Sequence, residues 1–317
     1  MNTLTTLPLV QATQHLDPLF KKMQNTWESL GYTNSLYDDL VKKKPSIEQE
    51  TTKGILVYDN KEGKETPCGI GILEYSNKKY GTLILYCTEP EYRKVLVDAL
   101  VASNELIGGC VELIQLENTF DYRDHFIEHD YFEKERQRMI FEFNDPFPKP
   151  ENKSNVQFEP LTLENCVTVG EISNAAHNRR REIEGYYDFS TPELRANMAR
   201  QMRENKFGTE AEGLCLLMHY NNESAGICDV VDSKIWQYNK IAWIMDITIH
   251  PNFQGMGLGR YLLQHVMYTA YEQSFPAIGL AVTLSNTNAL KLYEDMNFEQ
   301  REFFVEIISK KWESHAV

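Results

Sequence analysis

The segment HPNFQGMGLGRYLL, residues 250–263, decides how the second half of this chain folds. Gly255, Gly257 and Gly259 alternate within it, and apolar residues at helical spacing follow, so the pattern predicts a helix over 258–272. Glycine has no side chain, so glycine at this density leaves the backbone exposed. The first N–H groups of a helix have no helical partner, so a glycine turn at a helix start is a typical anion site. The predicted apolar face consists of Leu262, Leu263, Val266, Met267 and Ala270.

Two familiar phosphate-binding loops do not fit this segment. A P-loop ends in Gly-Lys-Ser/Thr, whereas Gly259 is followed by Arg260 and Tyr261. A dinucleotide fingerprint has the spacing G-x-G-x-x-G, and its third glycine position is occupied here by Arg260. The remaining interpretation is a diphosphate held by consecutive N–H groups, with Arg260 as a cation beside it.

A second motif, LSNTNALKLYEDMNF at 284–298, follows the glycine loop after a predicted strand at 277–283. Together the two motifs resemble the GNAT superfamily, the acyl-CoA-dependent N-acetyltransferases. Gln254, Gly257 and Gly259 match that family's Q/R-x-x-G-x-G/A loop. Asn297 stands where the family usually has glycine, and asparagine is the other residue common in a left-handed helix end. The residues that match the second pattern are Asn286, Ala289, Leu292, Tyr293, Glu294, Asn297 and Phe298.

The resemblance implies that the chain binds acetyl-CoA. Residues 254–260 would hold the pyrophosphate, and backbone groups of strand 241–249 would hold the pantetheine arm, with an N–H of that strand stabilising the oxyanion. Asn286 would bond the pantetheine arm, cap helix 287–295, or both. No metal is expected. The predicted cofactor contacts are Ile247, Thr248, Ile249, Gln254, Gly255, Met256, Gly257, Leu258, Gly259, Arg260, Asn286, Ala289 and Tyr293.

The catalytic residues expected from the resemblance are Asp246 and Tyr293. A free alkyl amine titrates near ~10.4 and must lose a proton before it attacks, for which Asp246 or a water chain is the expected base. Tyr293 would protonate the departing thiolate, or only orient the sulfur. Asp246 has a competing structural role, as a bulge cap or an arginine partner. Weaker acidic candidates are Asp229, Asp232 and Glu294, and His250 and His265 are expected to be ordinary surface residues.

Residues 176–193 lie between the first two predicted helices of the second half, at 162–178 and 191–204. In the resembled family this region recognises the acceptor. It combines charged and aromatic side chains, so a polar acceptor is expected, although a solvated surface loop has the same composition. Tyr186, Tyr187 and Phe189 are the expected substrate contacts.

The two halves of the chain repeat one order of elements. Each half has three apolar stretches in succession, the third of which ends in proline, and each ends in a glutamate, an aromatic residue and a final strand. We therefore expect an α/β (α+β) fold of two tandem units, each a mixed, mostly antiparallel sheet flanked by helices. The predicted division is a degenerate GNAT-like domain at 1–145, a linker at 146–155 and a catalytic domain at 156–317.

The first half lacks the cofactor features. Its counterpart of the loop, residues 88–100, has no glycine after Pro90, and Glu91 places negative charge where a diphosphate would lie. Ile127 stands at the position that matches Tyr293. Tandem GNAT proteins with one inactive half are known, which is the arrangement expected here.

Bulk composition limits the class of partner and compartment. The net charge of −14 argues against nucleic acid. Six cysteines without C-x-x-C spacing indicate reduced thiols, and neither a signal peptide nor an apolar membrane span is recognisable, so a cytoplasmic protein without membrane partners is expected.

The sequence thus predicts transfer of an acetyl group to a small or peptide amine, by direct attack in a ternary complex. The alternative is a non-catalytic acyl-CoA sensor or pseudoenzyme scaffold. An oxygen acceptor or a longer acyl donor also stays open, and the oligomeric state is not determined.

Overall fold

The structure, a computed structural model, divides the chain into two units that repeat one order of elements. The first unit comprises residues 1–135 and 304–317, and the second comprises residues 136–303. None of the helices in the described ranges has the length and apolarity needed to cross a membrane. The described residues are 3–29, 35–61, 64–75, 80–103, 105–106, 110–116, 122–184, 191–236 and 238–309.

The first unit contains a mixed, mostly antiparallel sheet. Its strand order is β1-β2-β3-β4-β5 followed by the 304–309 part of β13; among these pairs of described strands, β4/β5 is parallel and the others are antiparallel. The elements from the first half of the chain are β1 Thr3–Pro8, α1 Leu16–Ser29, α2 Leu36–Lys42, α3 Lys44–Glu48, β2 Lys53–Lys61, β3 Lys64–Tyr75, β4 Tyr80–Cys87, α4 Arg93–Ala102, β5 Cys110–Gln115, α5 Tyr122–Glu128 and β6 Tyr131–Glu142.

The second unit repeats this plan. Its strand order is β7-β9-β10-β11-β12 followed by the 136–142 part of β6, with β8 beside β10; among these pairs of described strands, β11/β12 is parallel and the others are antiparallel. The predicted fold class is therefore confirmed. The elements are β7 Val156–Pro160, α6 Cys166–Glu184, α7 Pro192–Arg203, β8 Thr209–Glu210, β9 Leu216–Tyr220, β10 Glu223–Ile235, β11 Tyr238–Ile249, α8 Leu258–Glu272, β12 Ala277–Thr283, α9 Thr287–Asp295 and β13 Glu299–Ser309.

The core of the second unit confirms the predicted face of α8. All five predicted apolar side chains of that face are fully buried, at 0% exposure. Burying a side chain of this size contributes roughly 1.5–3 kcal/mol, so this face is a main source of the unit's stability.

Helix α6 differs from its prediction at both ends. Asn165 Oδ1 accepts the N–H of Thr162 at 2.8 Å and holds a turn, so the helix begins at Cys166 rather than at 162. It then continues to Glu184, into the segment that was predicted as a loop. Residues 176–184 are therefore helical.

Candidate active site

An opening between β11 and β12 is the central feature of the second unit. The two parallel strands pair at three positions only, from Ala242 opposite Ile278 to Ile244 opposite Leu280. Beyond that point β11 continues to Ile249 in contact with β10, and β12 continues to Thr283 in contact with β6. Backbone groups of β11 on the β12 side are thus available to an extended ligand.

A β-bulge at Met245 lies where the two strands separate. Ile244 pairs with Val230 and Asp246 pairs with Asp229, so β11 has one residue more than β10. Such a bulge bends its strand and reverses the alternation of the side chains that follow. Asp246 is thereby directed to α6, where the Ser173 hydroxyl reaches it.

The turn after β11 is held by its own side chains. Gln254 Nε2 donates to the Ile249 carbonyl at 2.8 Å and closes the turn. His250 Nδ1 accepts the N–H of Asn252 at 3.3 Å, so this histidine caps the short 3₁₀ turn Pro251–Phe253. His250 thus has a structural role in shaping the loop.

Two glycines of the loop have a left-handed backbone. The φ angles of Gly255 and Gly257 are +80° and +73°, and a Cβ atom on either would meet no atom within 4 Å. Gly257 is the N-cap of α8, and the first helical bond joins Tyr261 N–H to its carbonyl at 3.2 Å. The N–H groups of 258–260 therefore precede the helical ladder, at an exposed helix N-terminus that fits a diphosphate.

Gly259 and Arg260 have different surroundings. A Cβ on Gly259 would lie 3.6 Å from Ile249 Cγ1 and 3.9 Å from Leu292 Cδ2, which are ordinary contacts. The protein itself thus leaves room for alanine at this position. The Arg260 guanidinium pairs with Asp295 of α9 at 2.9 Å. Both contacts bring α9 against the start of α8, so the two sequence motifs meet.

Helix α9 is capped at both ends by local chemistry. Asn286 Oδ1 accepts the Ala289 N–H at 3.3 Å, which confirms the predicted cap. At the other end Asn297 has φ +61°, the left-handed conformation expected for it. Phe298 N–H reaches the Tyr293 carbonyl at 2.9 Å, and the two rings lie 5.7 Å apart, as in a Schellman motif. Tyr293 is 7% exposed.

Asp246 is the centre of a polar cluster between β11 and α6. Ser173 Oγ donates to its Oδ2 and Thr248 Oγ1 to its Oδ1, both at 2.6 Å. His177 Nε2 lies 4.0 Å from Oδ1. Burial alone would raise the pKa of Asp246, but His177, the Arg195 cation and the Ser173 hydrogen bond together hold it below its usual range. Asp246 is thus an ionised group of low basicity.

The weaker acidic candidate Asp229 belongs to a buried ion pair. It is 1% exposed and pairs with Arg203 of α7, whose Nε also lies 2.8 Å from Glu210. Burial raises the pKa of Asp229, and Arg203 opposes this shift. Asp229 therefore stabilises the packing of α7 on the sheet. Glu294 is exposed on α9.

His265 is not the surface residue that was expected. Its ring stacks on Phe158 with the centroids 4.1 Å apart, and burial lowers the pKa of this histidine. The sequence interpretation missed Ser173 and His177 as members of the Asp246 cluster. Their i, i+4 spacing places both on one face of α6, but that spacing alone does not identify their partner. Tyr186, Tyr187 and Phe189 lie outside the described residues.

The first unit has a different structure at the corresponding place. Strands β4 and β5 pair at six positions, from Tyr80 opposite Cys110 to Leu85 opposite Gln115. Helix α4 starts after Tyr92, whose hydroxyl donates to Asp59 at 2.6 Å. In the described residues, the second unit therefore has separated strands and a glycine turn before its helix. In the first unit the corresponding strands stay paired, and the Tyr92 side chain fixes the start of the helix.

Comparison with known families gives a match within the second unit. Residues 178–298 match the Acetyltransferase (GNAT) family. A stretch of 59 residues is 34% identical to the [Ribosomal protein bS18]-alanine N-acetyltransferase of Escherichia coli strain K12. That stretch is 19% of this chain and spans only 40% of the length of the relative.

Solved structures resemble the chain over nearly its whole length. One is a GCN5-related N-acetyltransferase from Sphaerobacter thermophilus, with a TM-score of 0.58 and 16% identity over 96% of this chain and 94% of that one. Another is a tandem GNAT protein from the clavulanic acid biosynthesis pathway, with a TM-score of 0.51 and 13% identity over 98% and 99%. At such identities the likeness concerns the fold.

Proposed function

Because residues 178–298 match the GNAT acetyltransferase family, we propose that this chain transfers an acetyl group from acetyl-CoA to an amine. The observation that carries the proposal is that two features of the second unit lie next to each other along the chain: a separation between two strands and an exposed helix N-terminus. The β11/β12 pair separates after Ile244, and the exposed N-terminus of α8 follows directly after β11. An extended thioester that ends in a diphosphate matches both features.

The chain's own groups have distinct tasks in this proposal. The N–H groups of 258–260 bind the pyrophosphate, and Gly255 and Gly257 keep side chains away from it. Backbone groups of Ile247, Thr248 and Ile249 on the β12 side hold the pantetheine arm. Acetyl-CoA, when bound, supplies the acetyl group as a thioester.

Tyr293 is proposed to donate a proton to the departing sulfur. Its helix packs against the glycine loop through Leu292 and Asp295, which supports a position close to the bound thioester. Asn286 and Ala289, at the start of the same helix, are proposed to border the pantetheine arm. Their N-cap bond fixes that start.

The first half is proposed to be silent toward the cofactor. Its β4/β5 pair stays closed over six positions, and Ile127 is 45% exposed where the second half has Tyr293. We also propose a cytoplasmic location, which is supported by six buried thiols that form no disulfide.

The acceptor is proposed to be a primary amine. The Escherichia coli relative is named for acetylation of an alanine of a ribosomal protein, so a peptide that begins with alanine is the first amine to try. A lysine derivative with a free side-chain amine is the second.

Calorimetric titration of the full chain with acetyl-CoA tests the proposal. We expect saturation at a single site per chain, followed by CoA release when an amine is added. Two sites would contradict a silent first half. Binding without CoA release from any amine would favour the acyl-CoA sensor, and no binding would contradict both functions.

Removing the Tyr293 hydroxyl separates binding from turnover. We expect Tyr293→Phe to keep acetyl-CoA affinity within about twofold and to lower kcat roughly a hundredfold, because a positioned proton donor contributes that much. Tyr261→Phe is the matched control, since Tyr261 is 6% exposed and lies outside the proposed chemistry. Equal kcat values for the two variants would contradict the acid assignment.

A further inference from the structure

Both carboxylate oxygens of Asp246 already accept strong hydrogen bonds. Ser173 Oγ lies 2.6 Å from Oδ2, and Thr248 Oγ1 lies 2.6 Å from Oδ1. Hydrogen bonds to an ionised carboxylate stabilise the charged form and make it a weaker proton acceptor. The low pKa of Asp246 agrees with this geometry. Asp246 is therefore poorly suited to take a proton from an amine itself.

His177 is a basic group beside Asp246 in this cluster. Its Nε2 lies 4.0 Å from Asp246 Oδ1, and its side chain is 20% exposed. A fixed carboxylate beside an imidazole stabilises the imidazolium, which makes the imidazole a better proton acceptor near neutral pH. His177 thus combines some access to solvent with a permanent anionic neighbour.

A buried amide on the same helix also points to an amine. Asn174 is 8% exposed, and its Oδ1 accepts no hydrogen bond within the described part of the chain. It precedes His177 by one helical turn. A buried acceptor without a donor is costly, whereas an N–H group of an incoming amine would satisfy it.

We propose that His177 removes the proton from the acceptor amine. Asp246 is the positioning residue, which orients the His177 imidazole and stabilises the imidazolium that forms. This inference rests on the proposed acetyl transfer and deepens it. The groups around the pair are Ser173 on α6, the Arg195 cation on α7, Asp229 on β10 and Thr248 on β11. Arg195 and His177 both stabilise the charged form of Asp246.

An ammonium group R–NH₃⁺ gives one proton to a ring nitrogen of His177, which leaves R–NH₂ and an imidazolium. The nitrogen lone pair then forms a bond with the acetyl carbon, the carbon–sulfur bond breaks, and its electron pair stays on sulfur. The sulfur takes a proton from Tyr293, which regains it from the new amide nitrogen, and His177 returns its proton to solvent.

Chemical rescue in the intact chain tests this assignment. We expect His177→Ala to bind acetyl-CoA within about twofold of the wild type, because the pyrophosphate contacts are elsewhere, and to release CoA roughly a hundredfold more slowly at pH 7. Added imidazole should restore part of that rate. The probes are acetyl-CoA with a peptide that begins with alanine or with Nα-acetyl-lysine.

The pH dependence gives a second readout. Without His177 only the amine that is already neutral can react, so the rate with Nα-acetyl-lysine should rise about tenfold per pH unit between about pH 7 and 9, below the ~10.4 of its amine. The wild type should rise less steeply, because its base supplies the neutral amine. A Ser173→Ala variant, which removes a donor to Asp246 rather than the base, should gain nothing from imidazole.

His219→Ala is the matched control. His219 lies on β9 in the same unit, is 22% exposed and also pairs with a carboxylate, Glu159, at 3.2 Å. His219→Ala should behave like the wild type.

Equal rates of CoA release for His177→Ala and His219→Ala would overturn this inference and leave the proposed acetyl transfer intact. Slow turnover without imidazole rescue and without a steeper pH profile would show a merely structural role. Failure of the wild type to release CoA with either amine would contradict the proposed function, and the inference with it.

Discussion

We expect Gly257→Glu to abolish measurable binding of acetyl-CoA. Gly257 caps α8 with φ +73°, and a side chain there would extend into the open space before the first N–H groups of the helix. A glutamate places its negative charge where the pyrophosphate is proposed to lie. Losing two hydrogen bonds to a charged group costs about 4 kcal/mol, which is roughly a thousandfold in Kd. Calorimetric titration measures this directly.

The fold of this variant should survive. A non-glycine residue in the left-handed conformation costs about 1–2 kcal/mol, and an acidic side chain at a helix N-terminus returns about 0.3–1 kcal/mol. Gly213→Glu is the matched control, because Gly213 is also exposed and has φ +77° in a turn of the same unit. It should show the same backbone strain and unchanged binding, with one added contact of its Cβ, 3.2 Å from the flexible Gln273 side chain. A Kd for Gly257→Glu equal to that of the control would exclude this helix N-terminus as the anion site.

Asp229→Asn should destabilise the second unit by about 3 kcal/mol, at the low end for breaking a buried ion pair, because the Arg203 charge then has Glu210 alone to compensate it. Asp229 is 1% exposed, and the Arg203 side chain is 5% exposed. Asparagine keeps the shape of the side chain and removes only its charge. Urea unfolding followed by tryptophan fluorescence measures the loss, since Trp243 lies in the same unit.

An exposed pair in the same unit provides the comparison. Asp295 and Arg260 form a 2.9 Å ion pair, but their side chains are 46% and 41% exposed. Such pairs contribute about 0–1 kcal/mol, so Asp295→Asn should change the free energy of unfolding by less than about 1 kcal/mol. If Asp229→Asn were as mild as this control, the buried pair would not be a determinant of stability.

The parts of the site that depend on local chemistry were predictable from the sequence. The bounds of α8, β12 and α9 agree with their predictions, because a glycine turn, an asparagine cap and a regular apolar pattern lie within a few residues of each element. Asn297 took the left-handed conformation expected of it for the same reason.

Features that depend on distant partners were not predictable. The bulge at Met245 exists only in register with β10, and the sequence of β11 alone does not reveal that register. Likewise Ser173 and Asp246 are 73 positions apart, so their contact follows from the packing of α6 on the sheet. An apolar alternation also predicts β13 as a strand without identifying β5 as its neighbour.

The end of β13 belongs to the first unit, which has a consequence for the synthesis of this protein on the ribosome. The sheet of the first unit is completed by residues 304–309, which pair with β5 from Val305 opposite Leu113 onward. The first half of the chain emerges from the ribosome long before residues 304–309 are made. The edge of β5 that they cover therefore stays unpaired while most of the second half is translated. An unpaired strand edge is a template for unwanted association. Newly made chains should therefore be most vulnerable to aggregation, and most dependent on chaperones, until translation has passed residue 309.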